Sequence, residues 1–176
     1  MSIFEKSQSL NTLRPYNHSR NLLQLDDDGN VSATADESEF DSPFVYFYVV
    51  PGADFPANVL QYQFKPYCQS DKYIAVVDGK VALKAENECT ESQRSFYIRD
   101  WPNGYLSFYV SAGESIYYLG CKNDKKLCAC AEKLDKAMWF FMRKKDDETI
   151  LAEKSEMYFE TSSRTEVITE IVVTEE

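Results

Sequence analysis

A twelve-stranded β-trefoil, an all-β fold of three pseudo-repeats, is predicted by a pattern that occurs three times in this sequence. Each copy has an apolar strand, an Asp/Asn/Gly turn and a second strand ending in Ala: NLLQLDDDGNVSATA, KYIAVVDGKVALKA and YYLGCKNDKKLCACA. An aromatic-rich strand follows each copy, as FVYFYVV, SFYIRD and MWFFMRK. Repeats of this length indicate the architecture, although regular strand spacing alone would also suit a β-sandwich.

One further strand precedes each copy and completes the repeat. These alternating strands are NTLRPY from Asn11, NVLQYQF from Asn58 and GYLSFYV from Gly104. Four strands in each of three repeats favour a six-stranded barrel capped by three hairpins. The hairpin turns are predicted near Asp28, Asp78 and Asn123, because Asp, Asn and Gly tolerate the positive φ of tight turns.

Alternation within these strands predicts which side chains fill the barrel, since successive residues point to opposite faces of a strand. The predicted core includes some neighbouring residues and Leu23, Leu25, Phe47, Ile74, Val76, Phe96, Ile98, Leu119 and Phe140.

The chain divides into a trefoil domain, residues 11–147, and an acidic C-terminal extension, residues 148–176. The extension holds eight Glu against Lys154 and Arg164, so it carries −6 of the total charge of −10. Because the trefoil is complete without it, we expect a mobile extension whose removal leaves thermal stability nearly unchanged.

Charge and hydropathy exclude several function classes. Neither part of the chain offers a basic footprint for a phosphate backbone, so nucleic acid is not an expected partner. The N-terminus has no apolar run typical of a secretory signal peptide, and no stretch approaches the length of a membrane span. We therefore expect synthesis in the cytoplasm, no membrane insertion and a monomer.

The sequence offers little for catalysis or metal binding. His18 is the only histidine, and it lies in a polar connection. The five cysteines are Cys68, Cys89, Cys121, Cys128 and Cys130; they lack metal-ligand spacing and are predicted to stay reduced. Cys128 and Cys130 should share one face of a strand without readily forming a bridge. Asp26–Gly29 is interpreted as a turn rather than a calcium loop. No enzymatic activity, cofactor or metal is expected.

The segment SFYIRDWPNGYLSFYVSAGESIYYLGCK resembles the interleukin-1 cytokine family, in which an aromatic strand and a polar loop precede a Phe/Ser element and an aromatic-aliphatic strand. Phe108, Ser111, Tyr118 and Leu119 match these positions. FVYFYVVPG is similar to a strand and loop in several members, and LRPYNHSRNLLQLDDDGN is most similar to the interleukin-18 branch. The resemblance covers Leu13 to Lys145.

This resemblance implies a leaderless, released β-trefoil cytokine that binds an immunoglobulin-domain receptor chain and then an accessory chain to trigger or modulate inflammatory signalling. By position in the resemblance, Arg14 and Asp36 are candidate contacts for the primary receptor. Three alternatives remain: an intracellular trefoil adaptor or scaffold, a trefoil protease inhibitor, and a fibroblast-growth-factor-like ligand. The last is disfavoured because such ligands bind heparin through a basic cluster, which this acidic chain is not expected to have.

Overall fold

Twelve strands form a β-trefoil, as the repeats predict. The computed structural model describes residues 8–51, 61–131 and 135–145. The strands are β1 (Ser9–Pro15), β2 (Asn21–Leu25), β3 (Val31–Asp36), β4 (Phe47–Pro51), β5 (Gln61–Pro66), β6 (Lys72–Val77), β7 (Lys80–Ala85), β8 (Phe96–Asp100), β9 (Leu106–Ala112), β10 (Ser115–Cys121), β11 (Leu127–Cys130) and β12 (Phe140–Lys144). A one-turn helix, α1 (Glu91–Arg94), precedes β8, and short 3₁₀ turns include Tyr16–His18, Pro43–Val45 and Lys136–Met138.

Six of the strands close into a barrel. Going round the ring, β1 pairs with β4, β4 with β5, β5 with β8, β8 with β9, β9 with β12, and β12 with β1, all antiparallel. Three hairpins, β2–β3, β6–β7 and β10–β11, complete the three repeats. A closed ring leaves no open edge of the kind that a sandwich has.

The three hairpin turns lie where the sequence predicts them. Asp78 (φ 52°) and Gly79 (φ 73°) form the two-residue loop between Val77 and Lys80, with the positive φ values of a type I′ turn. Gly29 takes φ 79° in the first turn. In the third turn the positive φ belongs to Lys125 (63°) and not to Asn123 or Asp124. The carboxylate of Asp124 instead accepts a hydrogen bond from the Lys126 N–H (3.1 Å).

The barrel core follows the three-fold repeat. Phe47, Phe96 and Phe140 begin the last strand of each repeat, and all three are fully buried. Leu23, Ile74, Val76 and Leu119 are buried as predicted, and Ile98 packs against the core while partly exposed. Leu25 was wrongly predicted as core: it lies beside the first hairpin turn, beyond a register shift between Leu22 and Gln24, and is half-buried.

The predicted extension at residues 148–176 lies outside the described residues, as does Asn58 at the predicted start of its strand. Strand β1 begins at Ser9, two residues before the predicted boundary. Within the described ranges, no helix has the length and apolar character that a bilayer crossing requires.

Candidate functional site: a cationic and aromatic cleft

A cleft of about 650 Å³ opens on the outer face of the β1–β12 pair, opposite the segment that follows β3. Its lining contains four cationic side chains and four aromatic or aliphatic ones, together with Thr12, Glu37 and Ser38. The cations are Arg14, Arg143, Lys144 and Lys145, and the apolar groups are Leu22, Phe40, Tyr46 and Phe141.

The cationic wall is produced by strand register. Arg14 lies opposite Phe141 in the β1–β12 pair, and Thr12 lies opposite Arg143. Because the alternate residues Leu13 and Phe140 point into the core, Arg14 and Phe141 point outward. The Arg14 guanidinium carbon stands 5.1 Å from the centroid of the Phe141 ring, which holds the charge at the cleft surface.

The opposite wall is a turn that Asp36 holds in shape. The Asp36 carboxylate accepts hydrogen bonds from the backbone N–H (2.9 Å) and the hydroxyl (2.6 Å) of Ser38. These bonds, the hydroxyl bond foremost, lower the pKa of Asp36. Phe40 follows on the same wall and is 54% exposed; it and Ile116, at 46%, are the two exposed large hydrophobic residues in the described part of the chain.

Tyr46 forms the floor of the cleft. Its side chain packs with Leu22 in a cluster separate from the barrel core, and its hydroxyl donates to the Phe40 carbonyl. The Lys145 ammonium lies 5.6 Å from the Tyr46 ring centroid. Burial raises the pKa of Tyr46, and the negative charge of Asp41 adds to the effect, so the ring hydroxyl stays protonated and keeps donating at neutral pH.

The structure brings both candidate receptor contacts to this one surface. Arg14 lines the cleft directly, and Asp36 borders it by fixing Ser38, although the two residues come from different strands. The expectation that this acidic chain lacks a basic cluster is wrong. Net charge averages over the whole chain, whereas the run Arg143-Lys144-Lys145 joins Arg14 only when β12 pairs with β1. The run Arg143-Lys144-Lys145 was the sequence feature that could have indicated a local basic cluster.

The other candidate residues lie away from the cleft. His18 is half-buried, and its Nε2 is 2.7 Å from the Lys122 carbonyl oxygen at the third hairpin turn. The Asp26 carboxylate accepts from the Asp28 and Asn30 N–H groups and from the Ser32 hydroxyl, so it caps the first turn. The described ranges contain no group of three His, Cys, Asp or Glu side chains arranged to hold a metal ion.

All five thiols are free in the structure. Burial raises the pKa of Cys68 and of Cys121 to about 12, which keeps both protonated. Cys128 and Cys130 share one face of β11, as predicted, and their sulfur atoms are 3.5 Å apart.

Comparisons with known proteins support the fold and nothing finer. No family model matches the chain, and no curated protein matches it. Among solved structures, it is similar to ThreeFoil, a designed three-fold symmetric protein, with a TM-score of 0.56 at 10% sequence identity. The match covers 76% of this chain and 96% of ThreeFoil. At that identity the likeness shows a shared trefoil architecture.

Proposed function

We propose that the protein is a non-enzymatic ligand of the interleukin-1 type, which presents the cleft surface to an immunoglobulin-domain receptor chain and modulates immune signalling outside the cell. The observation that carries the proposal is the cleft, where Arg14 and the turn held by Asp36 face each other. By position in the family resemblance, these same two residues are candidate contacts for the primary receptor.

The chemistry of the cleft supports a protein partner. Arginine and aromatic side chains carry much of the binding energy in protein interfaces, because they combine a large contact area with directional polar groups. Here Arg14 is stacked on Phe141, and Phe40 stands exposed on the facing wall. A partner that places an acidic loop between these walls would meet cations on one side and an aromatic ring on the other.

Binding to the ectodomains of interleukin-1-type receptor chains tests the proposal. Arg143→Glu is the informative variant, because Arg143 is exposed and lines the cleft, so its reversal should leave folding intact. We expect one receptor chain to bind the natural chain and its affinity for Arg143→Glu to fall at least about tenfold. A transcriptional reporter in receptor-bearing cells should follow the same order.

Lys80→Glu is the matched control. It makes the same charge change at an exposed site in the β6–β7 hairpin of the second repeat, away from the cleft. The proposal is wrong if no receptor chain binds, or if Lys80→Glu weakens binding as much as Arg143→Glu does. A cytosolic partner captured in place of a receptor would favour the adaptor alternative, and tight binding to a protease would favour the inhibitor.

The row of cations favours a second candidate, a growth-factor-like trefoil that binds a sulfated glycan. Arg14, Arg143, Lys144 and Lys145 line one cleft, and clustered cations attract a polyanion even on an acidic protein. If this is correct, the chain binds heparin at low salt, and Arg143→Glu elutes at a lower salt concentration than Lys80→Glu. Receptor binding that heparin does not compete would separate the two candidates.

A further inference from the structure

Two thiols lie together on β11, on the opposite side of the hairpin from the core thiol Cys121. The sulfur atoms of Cys128 and Cys130 are 3.5 Å apart, and the Cys128 sulfur is 3.4 Å from the Gly120 carbonyl oxygen. Cys128 is half-buried, so a small solute can reach it, whereas Cys130 is 5% exposed. The geometry therefore pairs an accessible thiol with a covered one.

Gly120 creates the space that holds the pair. It lies opposite Cys128 in the β10–β11 register, and a Cβ atom at this position would stand 3.0 Å from the Cys130 sulfur. It would also approach the Ala137 carbonyl oxygen to 3.4 Å. Any side chain at residue 120 would thus push the Cys130 sulfur away, and glycine keeps the two sulfurs close.

The two thiols have pKa values shifted in opposite directions. A hydrogen bond from Cys130 lowers the pKa of Cys128 to about 7, although burial acts to raise it. The positive charge of Lys122 also lowers this pKa. The same bond raises the pKa of Cys130. A thiolate is the nucleophilic form of cysteine, so Cys128 is the reactive member of the pair at neutral pH.

We propose that Cys128 and Cys130 are a modification site for small peroxides, at which Cys128 is oxidised and Cys130 closes an intrachain disulfide. The Cys128 thiolate attacks one oxygen of hydrogen peroxide, the O–O bond breaks, and the products are a sulfenic acid and hydroxide. The Cys130 sulfur then attacks the sulfenic sulfur, the S–O bond breaks, and water leaves with the Cys130 proton. Peroxide is reduced, and the dithiol is oxidised by two electrons.

Strand geometry makes this disulfide reversible. The sulfurs must approach by about 1.5 Å to reach the bonded length of about 2.0 Å. Alternate residues on a strand have Cα atoms about 6.6 Å apart, near the upper end of the range that a disulfide spans, so β11 must bend. β11 is an edge strand of its sheet, which gives it room to bend. A strained disulfide is more easily reduced, so excess dithiol should restore both thiols.

Peroxide treatment of the reduced full chain, followed by alkylation and mass spectrometry, tests the proposal. We expect the intact chain to lose two hydrogen atoms, with Cys68, Cys89 and Cys121 remaining open to alkylation after denaturation. The protected pair should lie within one peptide and become alkylated after treatment with dithiothreitol. A disulfide between two chains, or one that includes any of the other three cysteines, would overturn the proposal.

Single variants assign the two roles. Cys128→Ser should slow the reaction with peroxide at least about tenfold, because it removes the thiolate. Cys130→Ser should leave a sulfenic acid at Cys128 that dimedone captures. Cys68→Ser is the control and should react at the natural rate. Equal rates for Cys128→Ser and Cys68→Ser would contradict the proposal. If a variant does not fold, the alkylation rates of single cysteines in the natural chain provide the test. Cys128 should then be alkylated at least about tenfold faster than Cys68, and equal rates would overturn the proposal.

Discussion

The interior of the barrel repeats three times, whereas the surface of each repeat is different. Phe47, Phe96 and Phe140 occupy the same place at the start of β4, β8 and β12. On the surface, the first repeat and β12 form the cationic cleft, the second repeat encloses Arg94, and the third holds the Cys128–Cys130 pair. A repeated core thus leaves each outer face free to acquire its own chemistry.

The contrast has a physical cause. A side chain inside the barrel meets residues from all three repeats, so its size is constrained by packing at close to crystal density. A side chain outside meets one or two neighbouring elements and water. The comparison therefore predicts that equivalent substitutions inside the barrel lower the free energy of unfolding by equal amounts. Substitutions on the three outer surfaces should lower it by amounts that depend on the local contacts of each surface.

The largest effect should come from the interior phenylalanines. Phe47→Ala, Phe96→Ala and Phe140→Ala should each lower the free energy of unfolding by about 3–5 kcal/mol, because each leaves a cavity in the shared core. Chemical denaturation measures this. Phe40→Ala, at a 54% exposed position, is the control and should cost less than about 0.5 kcal/mol. A cost below about 1 kcal/mol for two of the three interior variants would break the three-fold comparison.

The next largest effect should come from Arg94 on the second repeat. Arg94 is 6% exposed. Its guanidinium donates to the Glu91 carboxylate at 3.0 Å and to the Cys89 carbonyl oxygen at 3.2 Å, and it lies 5.3 Å from the Tyr73 ring centroid. Arg94→Ala should cost about 2–3 kcal/mol, because it leaves polar groups without their partner.

Arg99→Ala is the matched control for Arg94→Ala, since Arg99 is exposed on the adjacent strand β8. The Arg99 guanidinium carbon stacks 4.6 Å from the centroid of the Trp101 ring. Arg99→Ala should cost less than about 1 kcal/mol. Equal losses of unfolding free energy for the two arginine variants would show that the buried site on the second repeat contributes no more than an exposed one.

A smaller effect is expected at the thiol pair of the third repeat. Gly120→Ala should cost about 1–2 kcal/mol, because the new methyl group would stand 3.0 Å from the Cys130 sulfur. In a Cys130→Ala background the same substitution should cost less than about 1 kcal/mol, since the sulfur is gone. Thermal or chemical unfolding of the four chains of this double-mutant cycle measures the difference. Additive costs would contradict the close contact.

The smallest effect should come from the turn beside the cleft. The pKa of Asp36 lies below its ordinary value of 3.8, so the hydrogen bonds from Ser38 favour the ionised carboxylate. The stabilisation is therefore present above the unfolded pKa and is lost as the pH falls through the folded pKa. The Ser38 amide signal in an NMR titration should shift with a midpoint below 3.8, and Asp36→Asn should abolish that shift. A midpoint at or above 3.8 would show that the hydrogen bonds from Ser38 do not stabilise the ionised carboxylate of Asp36.

The parts of the fold that depend on local chemistry could be predicted from the sequence. Asp78-Gly79 specifies a tight turn by itself, and strand alternation identifies Phe96 and Ile74 as interior. The prediction of Leu25 as a core residue was wrong, because strand alternation does not show where a hairpin extends beyond the core. The cleft was only partly predictable, because Arg14 and Arg143 come together through the pairing of distant strands, and Phe40 reaches the same cleft from the segment after β3. The distance between the Cys128 and Cys130 sulfurs depends on side-chain packing over Gly120, which spacing does not reveal.

The pairing of β1 with β12 has a consequence for how the molecule is made. These strands lie about 130 residues apart in the chain, and closing so large a loop is entropically costly and slow. Among the twelve strands that the structure describes, β1 is synthesised first and its partner β12 last. One edge of β1 therefore stays unpaired until the barrel closes. Because Arg14 and Phe141 come from these two strands, the cleft is assembled in this last step, and an unclosed nascent chain cannot display it.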